Sequence, residues 1–182
     1  KVCEHMHIPV QSGSNRILNA MKRNYTRESY LTALEILRMH IPRISITSDF
    51  IVGFPEEKEK DFEETLDLVK TAGFDSSYCF KYSPRPGTKA FDLADDVPLS
   101  EKERRVNILL KLTESQGQDK ARSLVGTTQE VLISQGKGKD VFRGMTMSSW
   151  RVRVKNEGLN LGDVCRVKIK GTHSRELHGE LI

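Results

Sequence analysis

Three short loops and two alternating stretches hold the side chains best suited to chemistry. Gln11–Ser14 is small and polar, Gly53–Glu57 joins a glycine to the stiff pair Phe54-Pro55, and Ser83–Thr88 sets Arg85 between Pro84 and Pro86. Two prolines restrain the backbone on either side of Arg85, so its guanidinium is presented stiffly, as contact with a phosphate or a carboxylate requires. A surface ion pair with a nearby Asp or Glu would use the same cation, and Tyr82 beside it serves equally as packing. Ser48 and Asp49 precede the second loop, where Asp49 can accept from a ligand hydroxyl or from neighbouring loop backbone. In the last third, Arg151, Arg153 and Lys155, and then Arg166, Lys168 and Lys170, recur at every second position, alternating with Val152, Val154, Val167 and Ile169. On strands this period separates a cationic face from an apolar one, which makes either a solvated exterior or a track for a polyanion.

The elements that must position these loops follow from periodicity. A short helix is expected from about Asn15, with Ile17, Leu18 and Met21 on one face and Ser14 as N-cap. A second begins after Thr26, places Tyr30, Leu34, Leu37 and Ile41 on one face, and stops before Pro42. Ile44–Val52 reads as a buried strand. Phe62, Leu66 and Val69 mark a helix that Gly73 can cap, and Ser76–Ser83 is the next strand. Buried strands alternating with helices indicate a parallel α/β sheet, whose reactive loops gather at the C-terminal ends of the strands. The three loops each follow a strand and are expected on one rim. Ser100 and Glu103 form a capping box that opens a long helix carrying Val106, Leu109, Leu110 and Thr113, which links two domains.

After Gly126 the pattern turns to short Val/Ile/Leu runs at Thr128–Ser134, Arg151–Lys155, Asp163–Lys170 and Arg175–Ile182, with no helical period. A small five-stranded antiparallel barrel or sandwich is expected there. The domains are therefore 1–121, α/β, and 122–182, all-β.

Composition bounds the partners. Residues 122–182 hold 11 Lys and Arg against 6 Asp and Glu, whereas residues 1–121 hold 18 against 19, so the net charge of +4 comes from the tail. That asymmetry fits a nucleic-acid-binding appendage on a neutral body, or a solubility feature. No apolar run approaches the roughly 18 residues of a membrane span, and the start lacks a signal peptide's pattern, which places the chain in the cytoplasm. Cys3, Cys79 and Cys165 are too few and too dispersed for a disulfide scaffold or a CxxC metal knuckle, and read as reduced thiols.

The strings HIPVQSGSNRILNAMKRNYT (His7 to Thr26), SDFIVGFPEEKEKDFEET (Ser48 to Thr65) and FKYSPRPGT (Phe80 to Thr88) resemble, in order and spacing, the methylthiotransferase branch of the radical S-adenosylmethionine (SAM) enzymes. The resemblance covers nearly the whole chain. It implies an α/β fold, the C-terminal half of a partial (β/α) barrel, followed by a small OB-like barrel of the TRAM type that binds RNA. It implies SAM as cofactor and, in the intact parent enzyme, two [4Fe–4S] clusters, both ligated outside this chain, because none of the three cysteines matches a family cluster ligand. By the same resemblance, Gln11 and Ser12 approach the methionyl and ribose region of SAM. Ser48 and Asp49 serve the ribose, and Gly53 and Phe54 lie against the adenine. Tyr82 walls the pocket and Arg85 faces the substrate, while Arg151, Arg153, Lys155, Arg166, Lys168 and Lys170 form the RNA track. No residue here is assigned as catalytic. The partners implied are a tRNA anticodon stem-loop and the missing N-terminal part of the same enzyme, with no membrane. The reaction implied is methylthiolation of N6-isopentenyladenosine beside the anticodon, since Arg85 stands where the branch acting on a ribosomal protein carries acidic residues. The fragment alone is expected to be inactive. The ribosomal-protein aspartate branch, the threonylcarbamoyladenosine branch and a stand-alone RNA-binding module are the alternatives.

Three positions depart from the family pattern. Glu56 and Lys58 stand where GFPGET has glycine and threonine, and Asn24 replaces the glycine of MKRGYT. If the Glu56 position takes a positive φ, its side chain costs about 1 kcal/mol, and Lys58 removes an N-cap option.

Overall fold

The computed structural model describes residues 3–137, 141–155 and 158–182. The chain packs as two compact units: His7–Pro42 with Ile46–Gln116, and Gly117–Ile182 with short pieces near residues 3–6 and 43–45. Lys1, which the family resemblance sets just before a barrel strand, lies outside the described residues.

The first unit contains α1 (Asn15–Ala20), α2 (Arg27–His40), β2 (Ser45–Val52), α3 (Glu59–Ala72) and β3 (Ser76–Lys81), and most of α4 (Leu99–Ser123). With β1 (His5–His7), the strands form a sheet in the order β1-β2-β3, and β2 and β3 pair in parallel. Ile46, Ser48, Phe50 and Val52 are buried on one face of β2. Thr26 caps α2 by accepting from the Ser29 N–H at 3.3 Å.

Several expectations are corrected. Ser14 occupies the N-cap position of α1, but its hydroxyl donates to Asp61 Oδ1 at 2.6 Å instead of capping. The β3 strand is not buried: Tyr78 and Phe80 are 59% and 51% exposed, because β3 is the edge of the described sheet. The long helix starts at Leu99, and the Pro98 carbonyl accepts from the Glu101 and Lys102 N–H groups, so Ser100 is inside the helix and caps nothing. Its buried stripe is Lys102, Arg105, Leu109 and Thr113, whereas Leu110 is exposed.

Glu56 does adopt a left-handed backbone, at φ 65°. Lys58 is the N-cap of α3 without an oxygen to offer, and Asp61 compensates by accepting the Lys58 N–H at 2.9 Å. Asn24 is not left-handed; Lys22, at φ 58°, takes that role two residues earlier. Among the described residues, the Glu56 side chain pairs with Arg16 alone, at 3.8 Å on the surface, a pair of little energetic weight. Glu56→Gly is therefore expected to stabilise the chain by about 0.5–1 kcal/mol in urea unfolding. An unchanged or lower midpoint would mean that the loop holds this conformation without strain.

The second unit is a closed barrel of β4 (Thr128–Lys137), β5 (Val141–Thr146), β6 (Arg151–Lys155), β7 (Val164–His173) and β8 (Glu176–Leu181), ordered β4-β5-β6-β8-β7. It is not wholly antiparallel, because β6 and β8 pair in parallel. A closed ring with an odd number of strands cannot alternate direction all the way round, so one parallel seam is unavoidable. The strand absent from the sequence reading is β5, whose Arg143-Gly144 breaks the apolar alternation. Gly144 is required there: a Cβ would come 2.4 Å from the Leu132 carbonyl oxygen of β4. Val131, Ile133, Trp150, Val152, Val154, Val167, Ile169 and Leu177 fill the interior.

Candidate functional site

In the first unit, the C-terminal ends of β2 and β3 and the loop after β1 converge on a cavity of about 630 Å³. Gln11 enters it from a bridge beside β2: its N–H donates to the Asp49 carbonyl at 2.9 Å and its own carbonyl accepts from the Ile51 N–H at 2.9 Å. The backbone there is left-handed, φ 76°, which is uncommon for a side chain of this size. The residue is 7% exposed, and its amide makes no hydrogen bond to a described residue. Asp49 lines the same cavity, and its carboxylate lies 3.3 Å from His7 Nε2, while His7 Nδ1 lies 2.9 Å from Thr47 Oγ1. Asp49 is thus paired with a side chain and not with loop backbone.

Ile51, Phe54, Phe80 and Tyr82 supply the apolar wall. The Phe54 and Tyr82 rings meet edge to face, 5.1 Å between centroids, and the Tyr82 hydroxyl donates to the Ala90 carbonyl at 2.7 Å. Arg85 lines the opening; its carbonyl accepts from the Thr88 N–H and hydroxyl at 3.2 and 2.8 Å, which pins the turn between the prolines. Its guanidinium forms no ion pair with a described residue.

Gln11, Asp49, Phe54, Tyr82 and Arg85 are therefore brought together, whereas Ser12, Ser48 and Gly53 are not among the lining residues. Ser12 lies 3.3 Å from the Thr65 hydroxyl. Ser48 donates to the Ile8 carbonyl at 2.9 Å and accepts from the Val10 N–H at 3.1 Å, so its hydroxyl ties the segment after β1 to β2. At Gly53, φ 70°, the close neighbour is Lys102: a Cβ would stand 2.3 Å from Lys102 Cγ.

Sequence reasoning missed what holds this loop. Arg105 is buried with Glu57, 2.8 Å apart, and also donates to the Glu57 carbonyl at 3.0 Å and to Glu101 at 2.8 Å. Glu57 in turn accepts the Gly53 N–H at 3.0 Å. Lys102, equally buried, pairs with Asp95 at 2.5 Å and lies over the Tyr82 ring. Residues 102, 105, 109 and 113 share one helical stripe, so the spacing itself placed two cations against the core. Asp61 is a second hub. Burial opposes its ionisation, but hydrogen bonds from Arg16, Ser14 and the Lys58 N–H hold its carboxyl below the ordinary range.

Among the described residues no group of three or more His, Cys, Asp or Glu could hold a metal. Cys3 is exposed; Cys79 is half-buried beside Thr113 on α4, and burial pushes its thiol up to about 11. Cys165 lies within the barrel wall.

On the barrel, Arg151, Arg153 and Lys155 project outward from β6 while Val152 and Val154 point in. Arg166 and Lys170 are exposed on β7 and Lys168 is half-buried, with Lys170 paired to Glu180 at 3.0 Å. Because β8 separates β6 from β7, the two rows are not contiguous. Arg153, Lys155 and Lys170 meet around a cavity of about 410 Å³, with His173 and His178 beside them; Arg151, Arg166 and Lys168 are not among its lining residues.

The Radical SAM superfamily pattern matches residues 1–69. A tRNA-2-methylthio-N(6)-dimethylallyladenosine synthase from Pseudomonas fluorescens is 45% identical over 185 residues, which is 100% of this chain and 42% of that protein. The synthase of the same name from Caldicellulosiruptor saccharolyticus is 45% identical over 183 residues, 100% of this chain and 39% of its own length. Among solved structures, coproporphyrinogen III oxidase (HemN) from Escherichia coli, a radical SAM enzyme, aligns with a TM-score of 0.53 at 14% identity, covering 92% of this chain and 41% of that one, a likeness of fold alone. This identity is sustained through both of its units, and the chain spans about two fifths of the length of the synthases it matches.

Proposed function

We propose that this chain is the part of a tRNA methylthiotransferase that walls the SAM nucleoside pocket and docks the tRNA, in an enzyme of the cytoplasm that methylthiolates N6-dimethylallyladenosine beside the anticodon. The observation that carries the reading is 45% identity to the synthases over 100% of the chain, cavity and barrel alike. The barrel is read as a TRAM-type, OB-like module whose outward cations contact the anticodon stem-loop.

The cavity fits the nucleoside half of SAM. Phe54, Tyr82 and Ile51 offer a flat apolar wall to a purine, the unpartnered Gln11 amide can both donate and accept, and Asp49, steadied by His7, can accept from a ribose hydroxyl. SAM held there would supply the chemistry that activates the adenosine C–H bond. The residues of this chain orient and shield; none transfers a proton. The described residues do not fit an iron–sulfur cluster, which needs converging thiolates. The two [4Fe–4S] clusters of such an enzyme would therefore take their ligands elsewhere in it.

The test is a chimera in which this sequence replaces the matching region of the Pseudomonas synthase, expressed in a strain lacking its own. Nucleoside mass spectrometry of tRNA should recover the 2-methylthio base, and Asp49→Asn in the same chimera should lower its yield at least about ten-fold, as loss of a ligand hydrogen bond to a charged group implies. A soluble, cluster-loaded chimera that leaves the adenosine unmodified would refute the reading.

A further inference from the structure

Arginine in the first unit is almost entirely used on the protein's own acceptors. Arg16 binds Asp61, Arg27 binds Asp67, Arg38 donates to the Ala72 and Gly73 carbonyls, Arg104 binds Glu59 and Glu101, and Arg105 binds Glu57. Only Arg23 and Arg85 in this unit make no side-chain hydrogen bond or ion pair to a described residue, and both line the same cavity. Lys22 and Lys89 line it too, also without an ion pair, and all four are exposed at its edge. Lys81, the fifth cation there, is neutralised by Glu103 at 3.0 Å, and Asp49 is the one lining carboxylate.

The backbone presents two of these cations under constraint. After α1, the Arg23 N–H donates to the Leu18 carbonyl at 2.9 Å and the Lys22 N–H to the Asn19 carbonyl at 3.0 Å. These are the paired bonds of a Schellman cap, in which the left-handed position is normally glycine. Here it is Lys22, at φ 58°. A lysine in that conformation costs about 1 kcal/mol relative to glycine, and strain of this kind collects at functional sites. Arg85 sits in the proline-flanked turn closed by Thr88.

We infer that Lys22, Arg23, Arg85 and Lys89 form a phosphate clamp at the mouth of the cavity, gripping the sugar-phosphate backbone of a single-stranded RNA loop whose base enters against the exposed ring of Phe80, leaving Phe54 and Tyr82 to the SAM nucleoside. The inference rests on the tRNA reading above and adds a second, catalytic-unit contact to the docking assigned to the barrel. A single carboxylate, such as that of SAM, would leave most of the four cations unmatched; a single strand carries one phosphate per nucleotide, and an aromatic wall is how unpaired bases are held.

Binding of the 182-residue chain to a fluorescently labelled anticodon stem-loop RNA, followed by anisotropy across a salt series, tests this. The variants are Lys22→Ala/Arg23→Ala/Arg85→Ala/Lys89→Ala at the clamp and Arg151→Ala/Arg153→Ala/Lys155→Ala on the barrel. Removing one cation that neutralises a single-strand phosphate lowers the slope of log K against log salt by about 0.7, and weakens binding about five-fold at 0.1 M salt. The clamp variant should thus lose between two and three units of slope, and the barrel variant should lose its own share independently. If the quadruple variant loses its far-UV ellipticity, Arg23→Ala and Arg85→Ala singly should each lower the slope by about 0.7. A clamp variant that keeps the parent slope, while the barrel variant weakens, would overturn the clamp and leave the tRNA reading intact. No binding by the parent chain even at low salt would remove both.

Discussion

Arg105→Met should cost about 3–5 kcal/mol at pH 7 to 8, the loss seen when one partner of a buried ion pair is removed. Methionine keeps most of the volume beside Phe62, so the deficit reports charge and not a cavity. Among the described residues, Glu57 would be left buried with the Gly53 N–H, at 3.0 Å, as its remaining side-chain hydrogen bond. Burial already pushes the Glu57 carboxyl above its ordinary range, with the Gly53 N–H and Arg105 pulling the other way. A carboxyl raised in the folded state favours folding while protonated, and this contribution is lost as pH climbs from its unfolded value through its folded one. Removing Arg105 raises that folded value further, so the variant's deficit should be full at pH 8 and shrink as pH falls towards 4. Glu101 adds little to this change. Arg104 first, and then Arg105, hold it down to about 2, and Arg104 remains in the variant to keep it ionised across the same window. Urea unfolding of parent and variant at the two pH values gives the difference directly. A deficit below about 1 kcal/mol, or one that does not change with pH, would show that Glu57 and Arg105 do not depend on each other.

Gly13→Ala should be comparably damaging, by about 3 kcal/mol, at the upper end for an inserted methyl group. A Cβ at Gly13 would fall 2.4 Å from the Glu64 carbonyl oxygen and 2.5 Å from Thr65 Cα, both backbone atoms of α3. Neither side yields cheaply. The Gly13 N–H is bound to the Thr65 hydroxyl at 2.9 Å, and α3 is seated by Phe62, Leu68 and Val69, each at most 1% exposed. The displaced segment includes Gln11, so cavity ligands should weaken with stability. Gly87→Ala is the matched control: it meets nothing within 4 Å and bears only the cost of φ 83°, about 1 kcal/mol. Far-UV ellipticity in urea would rank the two, and an equal loss for both would mean that the Gly13 loop moves aside freely.

The local rules were readable wherever a side chain's role depends on its near neighbours. Thr26 caps α2, and Val152 and Val154 point into the barrel while Arg151, Arg153 and Lys155 point out. The same rules misplaced Ser14 and Ser100, because each serine had a competing arrangement. The Ser14 hydroxyl found a carboxylate 47 positions away, and Pro98 opened α4 before Ser100 could cap it.

What the sequence by itself determined is therefore the alternation of helices and strands in the first unit, the resemblance to the methylthiotransferases, and the two periodic faces of β6 and β7, all of which are written in spacings of a few residues. Tertiary structure alone decided that Lys102 and Arg105 are buried, that β3 is left half-exposed, that the barrel closes through a parallel β6–β8 seam, and that Arg23 and Arg85 are left unpaired beside one cavity. Each of these depends on which distant group arrives next to a side chain: a periodic stripe specifies a face to be covered, and the partner 48 positions from Arg105 specifies whether a charge can be placed there.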